Sequence, residues 1–111
     1  MKQKSVSTGK PVENPEKVVR RTLAYNDETM LCYFELEQGA RIPLHNHPAV
    51  QTGYIISGRM QFLGDQDSDA FEVGPGDAYV FDSGKTHGGV ALEETVFVEV
   101  FAPSRDEYKD F

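Results

Sequence analysis

Three histidines are spaced so that they could bind one metal ion. His45 and His47 are two residues apart after the extended stretch 40–44, and His87 follows a Ser-Gly-Lys-Thr turn. Residues i and i+2 of a strand lie on the same face, so both of the first two imidazoles can point into one cavity. Neutral imidazole is the commonest protein metal ligand. With the side-chain oxygen of Gln51 as a fourth ligand, such a site leaves open positions for water or a substrate.

Each of these residues also has a less specific interpretation. A His-x-His pair alone is equally compatible with the solvated end of a strand, and Gln51 could pack in the core without binding metal. The second case would leave a site of three imidazoles. Imidazole and amide oxygen suit Mn, Fe, Co, Ni or Zn, and also Cu. The pattern therefore predicts one divalent transition metal without specifying the element.

An acidic residue interrupts the most apolar strand that we predict. In residues 95–101, three valines alternate with a second row that contains Phe97, Glu99 and Phe101. Both faces of this strand are apolar, so we expect it to be buried on both sides. A lone buried carboxylate is unfavourable unless it is paired or faces a wet cavity. Glu99 is therefore predicted at the rim of the metal cavity together with Arg105, or alternatively at a solvated edge or paired with Lys85.

Short apolar runs separated by turn residues indicate the elements that would position these side chains. Turn signals such as Asn-Asp, Gly-Asp and Gly-Pro-Gly-Asp recur about every eight to twelve residues, which is typical of an all-β sandwich or barrel. No segment before residue 103 has a sustained helical period, and residues 104–111 could form one terminal helical turn. The predicted strands cover residues 20–25, 30–37, 53–56, 60–63, 70–73, 78–81 and 95–101.

The length of 111 residues allows one domain. Residues 1–17 are polar and contain Pro11 and Pro15, so we expect a flexible arm or an edge strand, followed by the folded domain over residues 18–111. No stretch approaches the roughly 18 apolar residues of a membrane span, and residues 1–17 lack the apolar core of a signal peptide. A cytoplasmic location is the default expectation.

Composition narrows the range of partners. Eleven basic and eighteen acidic residues give a formal net charge of −7, which argues against binding nucleic acid or an anionic membrane. An anionic ligand would need the metal and a few arginines to create a local positive site. Cys32 is the single cysteine, so there is no disulfide framework and no thiolate cluster. Its apolar neighbours predict that it is buried as a small hydrophobic residue.

Two glycine-anchored patterns resemble the two signatures of the cupin superfamily. The first consists of Gly39, His45, His47, Gln51 and Gly58, and the second of Gly76, Asp82, Gly84 and His87. The resemblance implies an all-β, single-domain cupin β-barrel, which is a double-stranded β-helix or jelly roll. Gln51 stands where the family usually has glutamate. A neutral amide there should bind metal less tightly but polarise an anionic substrate oxygen more strongly.

A narrower resemblance covers residues 18–109, about four-fifths of the chain. This region is similar to the KdgF-type, uronate-linearising cupins of pectin and alginate breakdown. The similarity includes the runs Gly-Ala-Arg-Ile-Pro-Leu-His-Asn-His-Pro, Gln-Thr-Gly-Tyr-Ile-Ile-Ser-Gly-Arg and Val-Phe-Ala-Pro-Ser-Arg-Asp-Glu-Tyr. It implies metal ligands at His45, His47, Gln51 and His87, catalytic residues at Glu99 and Arg105, and substrate-binding residues at Phe101, Arg41 and Tyr54. Glu99 stands where the family usually has aspartate, which changes the acid–base geometry.

The implied activity is ring opening and tautomerisation of a 4,5-unsaturated uronate, an anionic sugar-type small molecule. In that reaction Arg105 would bind the substrate carboxylate and Glu99 would relay a proton. The resemblance also implies a homodimer. Two other functions stay open at this point: an O₂-dependent dioxygenase, because three-histidine cupin sites also support iron chemistry, and a non-catalytic module that binds a sugar or another small molecule.

Overall fold

A computed structural model describes residues 3–111, and within them the chain forms ten β-strands and two short 3₁₀ turns. The predicted all-β class is confirmed. The strands are β1 Val12–Glu13, β2 Val18–Tyr25, β3 Met30–Leu36, β4 Arg41–His45, β5 Val50–Ser57, β6 Met60–Leu63, β7 Phe71–Val73, β8 Ala78–Phe81, β9 His87–Ala91 and β10 Thr95–Ala102. The 3₁₀ turns are Asp67–Asp69 and Asp106–Tyr108. Neither is long enough or apolar enough to cross a membrane.

Two antiparallel sheets enclose the core of the barrel. The larger sheet has the strand order β1-β2-β3-β10-β5-β8, and the smaller has the order β4-β9-β6-β7. Alternation of buried and partly exposed residues follows the period of two that a strand imposes: along β3, Met30, Cys32, Phe34 and Leu36 are buried. Because β10 lies in the middle of the larger sheet, its inward side chains reach the centre of the barrel.

The strand β9 was not predicted, and two glycines at its start explain why. Glycine is depleted in strands, so Gly88 and Gly89 give no strand signal. In the structure they let neighbouring strands approach closely. A Cβ atom at Gly88 would lie 2.6 Å from the carbonyl oxygen of Ile42, and one at Gly89 would lie 3.0 Å from that of Gln61. The absence of side chains is therefore what allows β9 to pair with both β4 and β6.

The expectation that the last strand is buried on both faces is wrong. Its inward residues, including Phe97 and Phe101, are buried, whereas Val96 and Val98 are half-exposed and Val100 is 40% exposed. The physical reason is that the smaller sheet covers only one face of the larger sheet. On the other face, the outward side chains of β10 stay partly open to solvent.

The segments before β2 and after β10 both pack against the barrel. The two-residue strand β1 pairs with β2. The tail after β10 makes the single helical turn that was expected, and Arg20 of β2 holds its end. The Arg20 guanidinium donates to both carboxylate oxygens of Asp110, at 2.9 and 2.7 Å, and lies 4.2 Å from the centre of the Tyr108 ring. These contacts fasten the tail against β2.

Cys32 is fully buried, which confirms the prediction for this residue. Burial raises the pKa of its thiol to about 11, so the reactive thiolate is scarce at neutral pH. We expect the folded protein at pH 8 to leave Cys32 unlabelled by a thiol-reactive disulfide reagent followed by absorbance. The guanidinium-unfolded chain, as the control, should label at one equivalent. Rapid stoichiometric labelling without denaturant would contradict the buried placement.

Candidate metal centre and adjoining cavity

The three imidazoles converge between the two sheets. β4 ends at His45, His47 lies in the loop that follows, and His87 is the first residue of β9, opposite His45. The expected sharing of one strand by His45 and His47 is thus not found, but their rings still come together. The ligand nitrogens of the three rings lie within 4.8 Å of one another. The turn before His87 contains Gly84, whose φ of 75° is in the left-handed region that favours glycine.

Hydrogen bonds to the backbone fix the orientation of all three rings. In each ring Nδ1 lies 2.7 or 2.8 Å from a carbonyl oxygen two residues away, at Pro43, Ala49 and Lys85. A carbonyl oxygen only accepts, so each Nδ1 carries the proton. The lone pair of each Nε2 is therefore free to bind a metal. This backbone support of the distant ring nitrogen is the usual arrangement around metal-binding histidines.

Gln51 completes the ring of donors. Its Oε1 lies 3.1 Å from Nε2 of His47 and 3.1 Å from Nε2 of His87. Three imidazole nitrogens and one amide oxygen thus point to a common region, and this donor set fits a divalent transition metal. The cluster suggests a metal site, and its donor types do not distinguish one such metal from another.

Burial favours the neutral form of two imidazoles, His47 and His87, and neutral imidazole is the form that binds metal. Removal from water lowers the pKa of His87 to about 4. It also lowers the pKa of His47, and the nearby positive charge of Arg105 acts in the same direction. Both rings are therefore uncharged at neutral pH in the metal-free chain.

Glu99 lies inside the cavity, 4% exposed, next to this cluster. Its Oε2 accepts hydrogen bonds from the Gln51 amide nitrogen and from the Tyr79 hydroxyl, both at 2.6 Å. Burial raises the pKa of Glu99 to about 7, although these hydrogen bonds and the charge of Arg105 lower it. Lys85, the alternative partner, instead lies 3.4 Å from Asp69. The structure therefore places Glu99 in the cavity and not at a solvated edge.

Arg105 brings a positive charge to the same cavity. Its guanidinium carbon lies 4.2 Å from the centre of the Tyr108 ring and 5.3 Å from that of Phe101. Its Nε is buried and has no hydrogen-bond partner among residues 3–111. This Nε lies 3.4 Å from Oε1 of Glu107, close enough for an ion pair but not a hydrogen bond. The cavity thus has a cation on one side and the imidazole cluster on the other.

The structure brings most of the predicted site residues together, with two exceptions. His45, Gln51, His87, Glu99, Phe101 and Arg105 line the cavity, and the His47 ring is 5.9 Å from that of Phe101. Tyr54 is 47% exposed on the outer face of β5, and Arg41 is exposed at the start of β4. Neither lines the cavity. A period of two could have shown this for Tyr54, because residues 51 and 54 of one strand lie on opposite faces.

Several residues near the site were not predicted. Asn14 and Pro15, from the segment before β2, line the cavity together with Tyr108 of the tail. Tyr79 contacts Glu99 from β8. A buried tyrosine usually finds a hydrogen-bond partner for its hydroxyl, which is the one sequence signal that could have directed attention to Tyr79.

Two facing antiparallel sheets around a three-histidine cluster define a cupin-type barrel. The family described as Cupin domain matches residues 32–101, and the chain belongs to this family. The pectin degradation protein KdgF of Dickeya dadantii (strain 3937) is 26% identical over 93 residues, which cover 82% of this chain and 83% of that protein. This match confirms the predicted resemblance to KdgF-like cupins.

Solved structures give the same class of fold. The structure of KdgF from Halomonas sp. is 26% identical, with a TM-score of 0.80 over 88% of this chain and 91% of that chain. The polyketide cyclase RemF from Streptomyces resistomycificus is also 26% identical, with a TM-score of 0.79 over 98% of this chain and 91% of that one. The single-domain cupin barrel expected from the sequence is therefore confirmed.

Proposed function

We propose that this protein is a metal-dependent enzyme that opens the ring of 4,5-unsaturated uronate monosaccharides and tautomerises the product. The observation that carries the proposal is the position of Glu99 and Arg105 on one cavity with the imidazole cluster. Similarity to proteins named KdgF, one of them a pectin degradation protein, supports a sugar-derived, small-molecule substrate. The homodimer and the cytoplasmic location stay predictions.

The Nε2 atoms of His45, His47 and His87 and the Oε1 atom of Gln51 would hold one divalent transition metal. When bound, the metal supplies a Lewis acid for the negative charge that develops on a substrate oxygen. The surrounding protein supplies the other requirements, which are a site for the substrate carboxylate and a group that moves a proton.

Arg105 is suited to bind the carboxylate. A guanidinium group presents a planar fork of donors that matches a carboxylate. Here the group rests on Tyr108 and Phe101, and its Nε forms an ion pair with Glu107 at 3.4 Å. An anionic substrate would accept hydrogen bonds from the guanidinium, and the aromatic side chains would exclude water from the pair. The chain as a whole carries a net charge of −7, so this local cation is what makes anion binding favourable.

In the proposed reaction, Glu99 would move the proton. The ring opens when the proton of the hemiacetal hydroxyl at C1 is removed, the bond from C1 to the ring oxygen breaks, and the ring oxygen becomes an enolate. Return of the proton to C4 gives the ketone. The reaction is an isomerisation, so no oxidant or reductant is consumed. A positioned carboxylate in such a role contributes about 100- to 10,000-fold.

The direct test is to mix the metal-loaded protein with an unsaturated galacturonate or guluronate monomer under argon. We expect loss of the ultraviolet absorbance of the conjugated double bond. Chelator-treated protein should be inactive, and adding metal back should restore the reaction. The alternatives make different predictions: loss of substrate only in air would favour a dioxygenase. Binding of the sugar with no product in either gas would favour a non-catalytic binding module.

A further inference from the structure

We propose that Tyr79 is a positioning residue of this site: it holds the Glu99 carboxylate so that Gln51 presents its amide oxygen, and not its amide nitrogen, to the imidazole cluster. The effect on metal binding follows from hydrogen-bond contacts and involves no substrate, whereas the consequence for catalysis rests on the proposed function. Oε2 of Glu99 accepts hydrogen bonds from both the Tyr79 hydroxyl and the Gln51 amide nitrogen, each at 2.6 Å.

The two ends of the Gln51 amide are chemically different, and only one orientation suits these contacts. A carboxyl oxygen that carries no proton can only accept, whether or not the other oxygen of the group is protonated. The amide end that faces Glu99 must therefore be the nitrogen, which leaves Oε1 facing the imidazoles of His47 and His87 at 3.1 Å. A reversed amide would place two acceptor oxygens 2.6 Å apart and would turn a donor toward the metal position. Glu99 thus selects the orientation in which Gln51 can be a ligand.

The hydrogen bond from Tyr79 to Glu99 stabilises this orientation of the Gln51 amide. An oxygen that already accepts from a tyrosine hydroxyl is an unfavourable place for a carboxyl proton. Without such a proton, Oε2 cannot donate to the amide oxygen of a reversed Gln51. The Tyr79 hydroxyl stays a donor, because burial and the neighbouring Glu99 raise its pKa well above the ordinary tyrosine value.

The backbone between Tyr79 and Glu99 leaves room for the two side chains to meet. β8, β5 and β10 are neighbours in the larger sheet, and Gly53 of β5 is paired with Tyr79 on one side and with Glu99 on the other. The tyrosine ring crosses over Gly53, where a Cβ atom would lie 2.1 Å from the ring. Any larger residue at position 53 would block the crossing. A hydrogen bond that spans two strands therefore depends on a glycine between them.

The same arrangement leaves the second Glu99 oxygen for the substrate. Both protein hydrogen bonds go to Oε2, and among the described residues Oε1 receives none. Since Glu99 lines the cavity, Oε1 is the oxygen that can meet a substrate hydroxyl. Tyr79 therefore orients two residues at once: the amide ligand and the proton-transferring carboxylate.

The test removes only the hydroxyl, with the Tyr79→Phe variant. We expect Zn²⁺ affinity, measured in competition with a chromogenic chelator, to fall by about 10- to 100-fold, as for other groups that support metal ligands. The visible absorption spectrum of the Co²⁺-loaded variant should also change. Tyr33→Phe is the matched control, because Tyr33 lies half-exposed on the outer side of β3, and it should leave both readouts unchanged. Wild-type affinity and spectrum in Tyr79→Phe would overturn the proposal.

A double-mutant cycle separates positioning from a merely structural role. If Tyr79 acts through Glu99, then Tyr79→Phe should have no further effect on Zn²⁺ affinity in a Glu99→Ala background. Equal effects with and without Glu99 would overturn the proposal. Neither measurement uses a substrate, so the outcome is independent of the proposed reaction. Inactivity of the wild type toward uronates, with the expected metal results, would reject the proposed function and leave the positioning role intact.

Discussion

Replacing Glu99 with glutamine is expected to lower turnover of an unsaturated uronate by about 100- to 10,000-fold, the usual contribution of a positioned acid–base group. The bound metal per chain should not change. The amide has the shape of the carboxylate, and its oxygen can still accept from Tyr79 and Gln51, so the ligands keep their places. It cannot take up the proton that the reaction moves. Turnover would be measured from the ultraviolet absorbance, and metal content by elemental analysis.

The outcomes of this substitution are distinct. Unchanged turnover would rule out the acid–base role of Glu99. Loss of metal together with turnover would mean that the ionised carboxylate is needed to assemble the site. The matched control is Glu94→Gln, which removes the same charge from an exposed position beside β10 and should leave both quantities unchanged.

Replacing His87 with alanine is expected to abolish specific metal binding. His87 contributes one of the three clustered imidazoles, and its Nε2 is 3.1 Å from the Gln51 oxygen. A metal that binds only the folded chain stabilises it by about 4.1 kcal/mol when present at roughly 1,000 times its Kd. We therefore expect added Zn²⁺ to raise the melting temperature of the wild type and to leave that of His87→Ala unchanged.

Thermal melts with and without Zn²⁺ and titration calorimetry would measure both effects. Asn46→Ala provides the control, because Asn46 is exposed between two candidate ligands and is not one of them. It should retain the metal-dependent stabilisation. The same shift in His87→Ala as in the wild type would show that the cluster does not hold the metal.

The fold could be predicted from sequence wherever the alternation of apolar and polar side chains indicates which residues are buried. β3 alternates apolar and less apolar residues, and turn residues mark its ends, so its position was accurate to one residue. β9 begins with glycines that allow close backbone contact, and such contacts depend on which strands become neighbours. The residue types alone therefore do not indicate this strand. The outer face of β10 was misjudged for a related reason: three valines look alike whether or not a second layer covers them.

The site also combines features that could be predicted from the sequence with features that could not. The clustering of His45, His47 and His87 follows from their spacing along the chain and could be predicted. The hydrogen bond from Tyr79 to Glu99 crosses an intervening strand, so it exists only because β5 lies between β8 and β10. No spacing in the sequence encodes that order. The contribution of Asn14 to the cavity likewise depends on how the segment before β2 packs.

The tail that carries Arg105 lies beyond the part of the chain that matches the family, residues 32–101. The candidate metal ligands and Glu99 lie within that part. Arg20 and Asp110 fasten the tail from outside it. If the proposed function holds, two separately encoded parts supply the chemistry and the recognition of the substrate. Divergence toward a new substrate would then require only a few substitutions in a peripheral segment, and the metal chemistry could be inherited unchanged.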